Sequence, residues 1–336
     1  MKQFIIILLG AIVLCSCNNK KPKFYKETGH TMGTTFSITS ECKVERDKLD
    51  SILVDFSQMF STYIEDSYIS KLNKCTDTTT YFELGPRYMH FRPMFSRLNE
   101  LHTLSLGAFN PFAGVLYDAW GFSEKGEIII DDLSIKELIA NSKAENFETK
   151  GNKVRKINPK AKFNLNAVAK GYGLDVVAIY LDSKGCKNYL IEIGGELVAK
   201  GTNPEGKPWR VGVRKPQKSD GSQSAIAEVN LNNRAMATSG NYENYKTYKD
   251  SIIGHTIDPR TGFPAKSRVL SSTVFATDCL TADALATACM VLGEEESIKL
   301  IENQENTDCF LIILDNNGEI KTYSSLGIKN DLELVK

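Results

Sequence analysis

The sequence predicts an α+β fold, with mainly antiparallel sheets and helices inserted between groups of strands. Two observations support that class. Short apolar runs with strand-like alternation come in groups, and segments with apolar residues at helical spacing separate these groups. The chain has 336 residues, of which 42% are apolar and 24% charged, so it can bury a large core as globular proteins do. We therefore expect one compact unit, with an arrangement as two similar subdomains as the alternative.

The first half of the chain supplies two predicted helices. Leu49, Leu53 and Phe56 fall at the spacing of an amphipathic helix, and Pro93 is expected to interrupt or kink the helix that contains it. The predicted elements are a strand over residues 34–39, helices over 45–60 and 86–104, and a short strand over Ile128–Ile130.

The second half contains most of the predicted strands. One of them ends at the glycine pair Gly194-Gly195, which allows close approach of a ligand or simply ends the strand. The predicted strands cover residues 189–193, 209–213, 226–231, 271–277, 309–314 and 320–323, and the predicted helices cover 170–184, 280–292 and 294–302.

The N-terminus has the pattern of a targeting segment. Lys2 precedes an apolar run from Phe4 to Leu14, which is too short to span a bilayer as a stable helix. Ser16-Cys17 resembles the end of a bacterial lipobox, and a polar stretch follows it. We expect residues 1–16 to be a signal peptide, residues 17–28 an acylated Cys17 with its tether, and residues 29–336 the folded domain. The protein would then be an exported, membrane-anchored lipoprotein with its domain in water on the periplasmic side; an uncleaved anchor or a plain signal peptide is the alternative.

Charge and cysteine content narrow the function classes. Lys and Arg total 41, as do Asp and Glu, so there is no general basic field for nucleic-acid binding. Six cysteines outside the N-terminal segment are scattered without metal-finger spacing. One disulfide among them is possible in an oxidising compartment, and the sequence leaves its pairing open. Three of these, Cys279, Cys289 and Cys309, lie in apolar contexts and are expected to be buried.

Asp283 and Thr287 are four residues apart on a predicted helix, so both side chains point the same way. A carboxylate and a hydroxyl on one face suit Mg²⁺, which takes one or two protein carboxylates and completes its shell with waters and phosphates. The alternative is a carboxylate near a helix start and a packed threonine.

Two further segments could contact an anion. Lys170 lies at a loop-to-helix boundary and could meet a phosphate, or simply face solvent. Thr238 and Ser239 precede Gly240 and could form an anion nest of free N–H groups, or an ordinary β-turn.

His255 stands beside an Asp258-Pro259 turn and an Arg260-Thr261-Gly262 turn. These turn signals predict a rigid loop, and histidine is the side chain most easily tuned to exchange a proton near neutral pH. A turn whose histidine caps a strand end is the alternative.

Taken in order, these motifs resemble the ApbE-type FAD:protein FMN transferases from about Gly29 to Tyr323. The matching segments are Thr31–Phe36, Ser61–Tyr63 with Asp66-Ser67, Gly107–Pro111, Asn166–Tyr172, Ile193–Glu196, Ala237–Gly240, His255–Gly262 and Asp283–Thr287. An ApbE-like α+β fold is implied.

The resemblance implies an enzyme that binds FAD with Mg²⁺, cleaves its pyrophosphate, and transfers FMN through a phosphoester to a Thr or Ser of an exported partner protein, releasing AMP. It implies metal ligands at the Asp283 carboxylate, the Thr287 hydroxyl and the Ala167 carbonyl, and a base at His255. The implied flavin and nucleotide contacts are Met32, Tyr63, Ala108, Phe109, Asn110, Asn164, Lys170, Thr238, Ser239 and His255.

Asn110 and Asn164 depart from the family pattern, which often has Asp at both positions, so hydrogen bonding is kept and charge is lost. The chain has no Ser/Thr-Gly-Ala-Ser/Thr acceptor motif of its own, so the acceptor is expected to be another exported protein that carries one. A metal-dependent FAD pyrophosphatase that yields FMN and AMP, or a non-catalytic FAD-binding lipoprotein, are the alternatives.

Overall fold

The computed structural model describes residues 23–83, 91–122, 126, 128–130, 134–151, 153–216, 224–241, 245–248 and 251–335. The predicted signal peptide and Cys17 lie outside these residues.

The helices and strands follow one another in mixed order. The helices are α1 Arg46–Phe60, α2 Tyr68–Lys74, α3 Phe91–Leu104, α4 Gly114–Ala119, α5 Ile135–Asn141, α6 Ala169–Ser183, α7 Cys279–Leu292 and α8 Glu294–Glu302. The strands are β1 Tyr25–Thr31, β2 Thr34–Ser40, β3 Phe82–Glu83, β4 Phe147–Lys150, β5 Lys153–Lys156, β6 Tyr189–Ile193, β7 Glu196–Lys200, β8 Trp209–Arg214, β9 Ala225–Leu231, β10 Ala235–Gly240, β11 Tyr245–Tyr248, β12 Ser251–Gly254, β13 Ile257–Asp258, β14 Phe263–Pro264, β15 Val269–Ala276, β16 Asp308–Leu314, β17 Ile320–Ser324 and β18 Leu332–Leu334.

An eight-stranded sheet organises the fold, in the order β1-β2-β6-β7-β10-β15-β16-β17. Every neighbouring pair in this sheet is antiparallel. Strands from both halves of the chain join this single sheet. The predicted α+β class with mainly antiparallel pairing is confirmed. Strand β1 already begins at Tyr25, so the sheet includes part of the segment expected to be tether.

Both faces of the sheet are buried. Successive residues of a strand point to opposite faces, so neighbouring residues show which core packs on each face. Val274 belongs to the main core with α1, α6 and α7, whereas the next residue, Phe275, belongs to a second core with β8 and β9. Leu311 and Phe310 divide in the same way in β16. Helices therefore cover one face, and the small β18-β9-β8 sheet covers the other.

Helix α7 lies within the main core. All of its residues except Thr287 and Leu292 are buried, and four of the buried ones are alanines, which allow close approach of neighbouring elements. Asp278 is its N-cap and accepts a hydrogen bond from the Thr281 N–H at 2.8 Å. No helix among the described residues is long and apolar enough to cross a membrane.

The structure differs from the predicted strand at Ile128–Ile130 and describes only part of the predicted helix that contains Pro93. No strand forms at Ile128–Ile130, so that prediction is wrong. Ile128 and Ile130 pack on a small cluster around Trp120, while the Ile129 N–H donates to the Ala119 carbonyl at 2.9 Å; packing rather than strand pairing satisfies the apolar pattern. Pro93 lies near the start of α3 as described, and residues 86–90 of the predicted helix lie outside the described residues.

The predicted burial of three cysteines is confirmed, and two others form a disulfide. Cys279, Cys289 and Cys309 are buried, and Cys42 pairs with Cys186, with the Cα atoms 5.7 Å apart. The disulfide joins the end of β2 to the turn after α6.

Candidate active site

A cavity of about 1470 Å³ opens among β10, the N-terminal end of α6, the middle of α7, and the loops around them. This volume exceeds the roughly 300–1,000 Å³ of sites for drug-sized ligands, so a dinucleotide-sized ligand is within its capacity. Every flavin, nucleotide and metal contact that the resemblance implied lines it: Met32, Tyr63, Ala108, Phe109, Asn110, Asn164, Ala167, Lys170, Thr238, Ser239, His255, Asp283 and Thr287.

Asp283 and Thr287 share one face of α7, as their spacing predicted. Asp283 is buried, and its Oδ2 accepts a hydrogen bond from the Gly171 N–H of α6 at 3.1 Å. The Thr287 hydroxyl lies 3.2 Å from the Ser239 hydroxyl of β10. Three elements thus converge on the carboxylate and the hydroxyl.

Burial dominates the electrostatics of Asp283. Burial, followed by the nearby Glu196 carboxylate, raises the pKa of this carboxyl, and Lys170 with the Gly171 N–H opposes the shift, so that the resulting pKa is about 8. A carboxyl in such a place is stable either with a proton or beside another cation.

Lys170 does not simply face solvent. Its ammonium group lies 2.5 Å from Oε1 of Glu196, the first residue of β7 after the glycine pair. Glu196 is 2% exposed, and burial raises the pKa of its carboxyl although Lys170 lowers it. The second oxygen, Oε2, is buried and has no hydrogen-bond partner among the residues that the structure describes. The cavity wall therefore holds one ammonium between two buried carboxyls.

The donor set around Asp283 suits a hard divalent cation. Within the described ranges, no group of three or more His, Cys, Asp or Glu side chains could hold a metal ion by itself. Asp283, Thr287 and Ala167 all line the cavity, so a carboxylate, a hydroxyl and a backbone carbonyl are available. Mg²⁺ accepts such a partial set of oxygen ligands when waters and phosphates complete its shell.

The loop of His255 contains the turns that its sequence predicted, and hydrogen bonds and an ion pair hold them. His255 lies between β12 and the β13-β14 hairpin, and its ring meets the Phe122 ring edge-on at 6.4 Å. Within the hairpin, Gly262 N–H donates to the Asp258 carbonyl at 2.8 Å, and the Arg260 guanidinium pairs with the Asp258 carboxylate at 2.8 Å. Asp258 and Arg260 are therefore occupied in shaping the loop.

An aromatic ring stands at the cavity rim. Tyr63 is 64% exposed, and its hydroxyl accepts a hydrogen bond from the Asn166 side-chain amide at 3.1 Å. This exposure excludes an ordinary core role for Tyr63, and it leaves a ring available for stacking on a planar ligand.

Met32 has φ of 50° and reaches toward Gly173 of α6, where a β-carbon would overlap the methionine methyl group. The glycine at this position lets the methionine side chain lie against the helix.

Asn110 has a structural role in addition to lining the cavity. Its side chain donates to the Ser142 carbonyl and accepts from the Phe112 N–H, both at 2.9 Å. Asn164 accepts from the Asn166 N–H at 3.0 Å. An Asn serves both roles of Asn110, because only the amide offers a donor and an acceptor together.

Thr238 and Ser239 reach the cavity, but the predicted anion nest is wrong. Both residues lie in β10, opposite Thr273 and Ser272 of β15, so they form neither a nest nor a β-turn. The Thr238 hydroxyl is bonded to the Thr273 hydroxyl at 2.9 Å. Their contribution to the site is side-chain hydroxyls on a rigid strand.

Comparison with known proteins identifies the family of this chain. The sequence matches the ApbE family over residues 32–311, which is most of the chain. This chain belongs to the ApbE family. The family and fold expected from the motifs are thereby confirmed.

Individual relatives agree with this ApbE assignment. The chain is 33% identical to the FAD:protein FMN transferase of Vibrio cholerae, with 98% of each chain covered, and 33% identical to that of Haemophilus influenzae, with 96% and 95% covered. The solved structure of the flavin transferase ApbE from Vibrio cholerae superimposes with a TM-score of 0.79, at 32% identity, covering 92% of this chain and 99% of the other.

Two acidic residues of this ApbE chain have contacts near the site that the sequence motifs do not predict. Glu196 was part of a quoted motif without a role, and its pairing with Lys170 spans 26 residues. Asp175 accepts hydrogen bonds from the N–H groups of Cys279 and Leu280, more than 100 residues away. In both cases the sequence offers one sign of such a contact, which is an acidic residue within an otherwise apolar segment.

Proposed function

We propose that this protein is an FAD:protein FMN transferase, which moves the FMN part of FAD onto a Thr or Ser of an exported protein and releases AMP. Its ApbE relatives carry that name. The observation that carries the proposal is that one cavity contains Lys170, Asp283 and His255, so a cation for phosphate, a carboxylate for a metal and a candidate base face the same ligand space.

Mg²⁺ is the proposed cofactor, held by the Asp283 carboxylate, the Thr287 hydroxyl and the Ala167 backbone carbonyl. When bound there, it would neutralise charge on the pyrophosphate and favour its cleavage. The oxygen donors at this place and the raised pKa of the Asp283 carboxyl, which a cation would counter, support this assignment.

The remaining roles belong to the chain's own side chains. Lys170 would bind a phosphate oxygen of FAD, and the exposed Tyr63 ring would stack on a planar ring of the same substrate. His255 would accept the proton of the acceptor hydroxyl as its oxygen attacks the FMN-side phosphorus. One phosphorus–oxygen bond forms to the acceptor, the bond to the AMP phosphate breaks, and AMP leaves with the electron pair.

The proposal includes a location and a partner. An exported lipoprotein, acylated at Cys17 and facing the periplasm, would meet acceptor proteins outside the cytoplasm. The acceptor would carry a Ser/Thr-Gly-Ala-Ser/Thr segment, which this chain lacks. The N-terminal sequence pattern supports this part of the proposal.

The test uses residues 18–336 with FAD, Mg²⁺ and an exported acceptor domain that contains the motif. We expect a fluorescent flavin that stays attached to the acceptor after denaturation, with one AMP released per adduct. Free FMN and AMP with every acceptor tried would identify a pyrophosphatase instead. FAD that is bound and recovered unchanged would identify a flavin carrier.

A further inference from the structure

Helices α6 and α7 are joined by hydrogen bonds that run in both directions. Asp175 of α6 accepts from the Cys279 N–H with Oδ1 and from the Leu280 N–H with Oδ2, each at 2.8 Å. Asp283 of α7 accepts from the Gly171 N–H of α6 at 3.1 Å. A carboxylate of each helix is thus bonded to the backbone of the other.

The spacing makes these contacts one unit. Gly171 and Asp175 are four residues apart on α6, and Cys279 and Asp283 are four residues apart on α7, so each pair occupies one face of its helix. A β-carbon at Gly171 would overlap the Cys279 carbonyl and lie 2.8 Å from Cβ of Asp283. The two helices are therefore in direct backbone contact between the two carboxylates.

We propose that Asp175 is a positioning residue for the metal-ligand carboxylate of Asp283. It fixes the first turn of α7 against α6, which keeps the Gly171 N–H on Oδ2 of Asp283 and leaves Oδ1 for a cation. The inference rests on the proposed metal role of Asp283.

Simple helix capping does not account for Asp175. Helix α7 already has its own N-cap in Asp278, which accepts the Thr281 N–H at 2.8 Å. Asp175 comes from another helix and accepts the N–H groups of the first two helical residues, and the first of these, that of Cys279, is not one that an N-cap usually serves. Its geometry instead fixes the position of α7 relative to Gly171.

Direct binding of Mn²⁺, followed by its electron paramagnetic resonance signal without FAD, tests the inference. In Asp175→Asn one carboxylate oxygen becomes an amide donor that faces an N–H group, so one interhelical bond is lost. We expect the dissociation constant for Mn²⁺ to rise about tenfold, as when groups that orient a metal ligand are removed. Asp278→Asn is the matched control, because it removes one negative charge from the same helix end and keeps a capping oxygen; its Mn²⁺ affinity should stay within about twofold of wild type.

Each outcome has a distinct meaning. Equal weakening in both variants would overturn positioning in favour of general charge, and unchanged binding in Asp175→Asn would overturn it outright. Absence of Mn²⁺ binding in the wild-type protein would overturn the proposed metal site itself. Hydrogen exchange of the wild-type amides adds a test that needs no variant: fast exchange at Cys279 and Leu280 would overturn the interhelical bonds, and slow exchange supports them.

Discussion

Replacing Asp283 with Asn should stabilise the metal-free protein and remove its stabilisation by Mg²⁺. Burial raises the pKa of the Asp283 carboxyl from 3.8 to about 8. The folded state therefore holds this proton more tightly than the unfolded state, and the resulting stability is complete below about pH 4 and lost as the pH rises through about 8. Asn keeps an oxygen that can accept the Gly171 N–H, but it has no proton to lose.

The magnitude follows from the difference in pKa. About three pH units separate 3.8 from neutral pH, and each corresponds to ~1.4 kcal/mol, so the upper limit is about 4 kcal/mol. Lys170 acts against the shift and would lose an attractive partner in the variant. We therefore expect the free energy of unfolding at neutral pH, without metal, to rise by about 2 kcal/mol.

Urea unfolding of wild type and variant, with a chelator or with Mg²⁺ and over a range of pH, measures both effects. Wild type should gain about 3 kcal/mol when Mg²⁺ is present at a hundred times its dissociation constant, and Asp283→Asn should gain almost nothing. Asp308→Asn is the control, because Asp308 is a buried carboxylate paired with Arg234 at 2.7 Å and does not line the cavity. It should lose stability and keep the full Mg²⁺ effect.

Two results would refute this reasoning. Asp283→Asn could be no more stable than wild type in chelator at neutral pH, which would mean that the buried carboxylate is stabilised as an anion by the protein alone. It could also keep the wild-type response to Mg²⁺, which would place the cation elsewhere.

Three further predictions concern the same cavity. His255→Ala should slow formation of the flavin adduct by about 10²–10⁴-fold, as loss of a general base does, and by far more than FAD affinity falls in a fluorescence titration; equal adduct rates would exclude His255 as the base. Glu196→Gln should lower the pKa of Lys170, which Glu196 raises, so the alkaline loss of FAD affinity should begin at lower pH in a titration series, and an identical pH profile would contradict the pairing. Gly171→Ala should reduce the free energy of unfolding by about 1–3 kcal/mol through overpacking between α6 and α7. Gly212→Ala is the control and should have a much smaller effect, because its β-carbon would meet Ala225 at 3.4 Å. Similar losses in the two variants would contradict the close helix contact.

Local spacing predicted part of the site correctly. Asp283 and Thr287 were placed on one helix face because four residues complete about one turn, and α7 has them there. The loop of His255 was predicted from its Asp-Pro and Thr-Gly turns, which act over a few residues. Interactions that close within one turn or one loop are readable from sequence.

Contacts across the fold were not predictable in the same way. The Lys170–Glu196 pair depends on α6 lying beside the start of β7, and Asp175 reaches α7 only because Gly171 lets the helices touch. Hydroxyls before a glycine locally suit the nest or the β-turn expected at Thr238-Ser239-Gly240, whereas pairing with β15 makes these residues a strand. Tertiary pairing outweighed local preference there.

The charges of the cavity give the proposed cation a physical reason beyond resemblance. Asp283 and Glu196 place two buried carboxyls around the single ammonium of Lys170, and burial raises the pKa of both carboxyls. Arg214 also lines the cavity, so Lys170 and Arg214 together can offset the two carboxylates, but a pyrophosphate bound beside them would add negative charge that these two cations leave unbalanced. Protons can relieve this repulsion at low pH, and a divalent cation can replace them at neutral pH. Metal binding should therefore release protons, and calorimetry in buffers of different ionisation enthalpy should detect that release in wild type and lose it in Asp283→Asn.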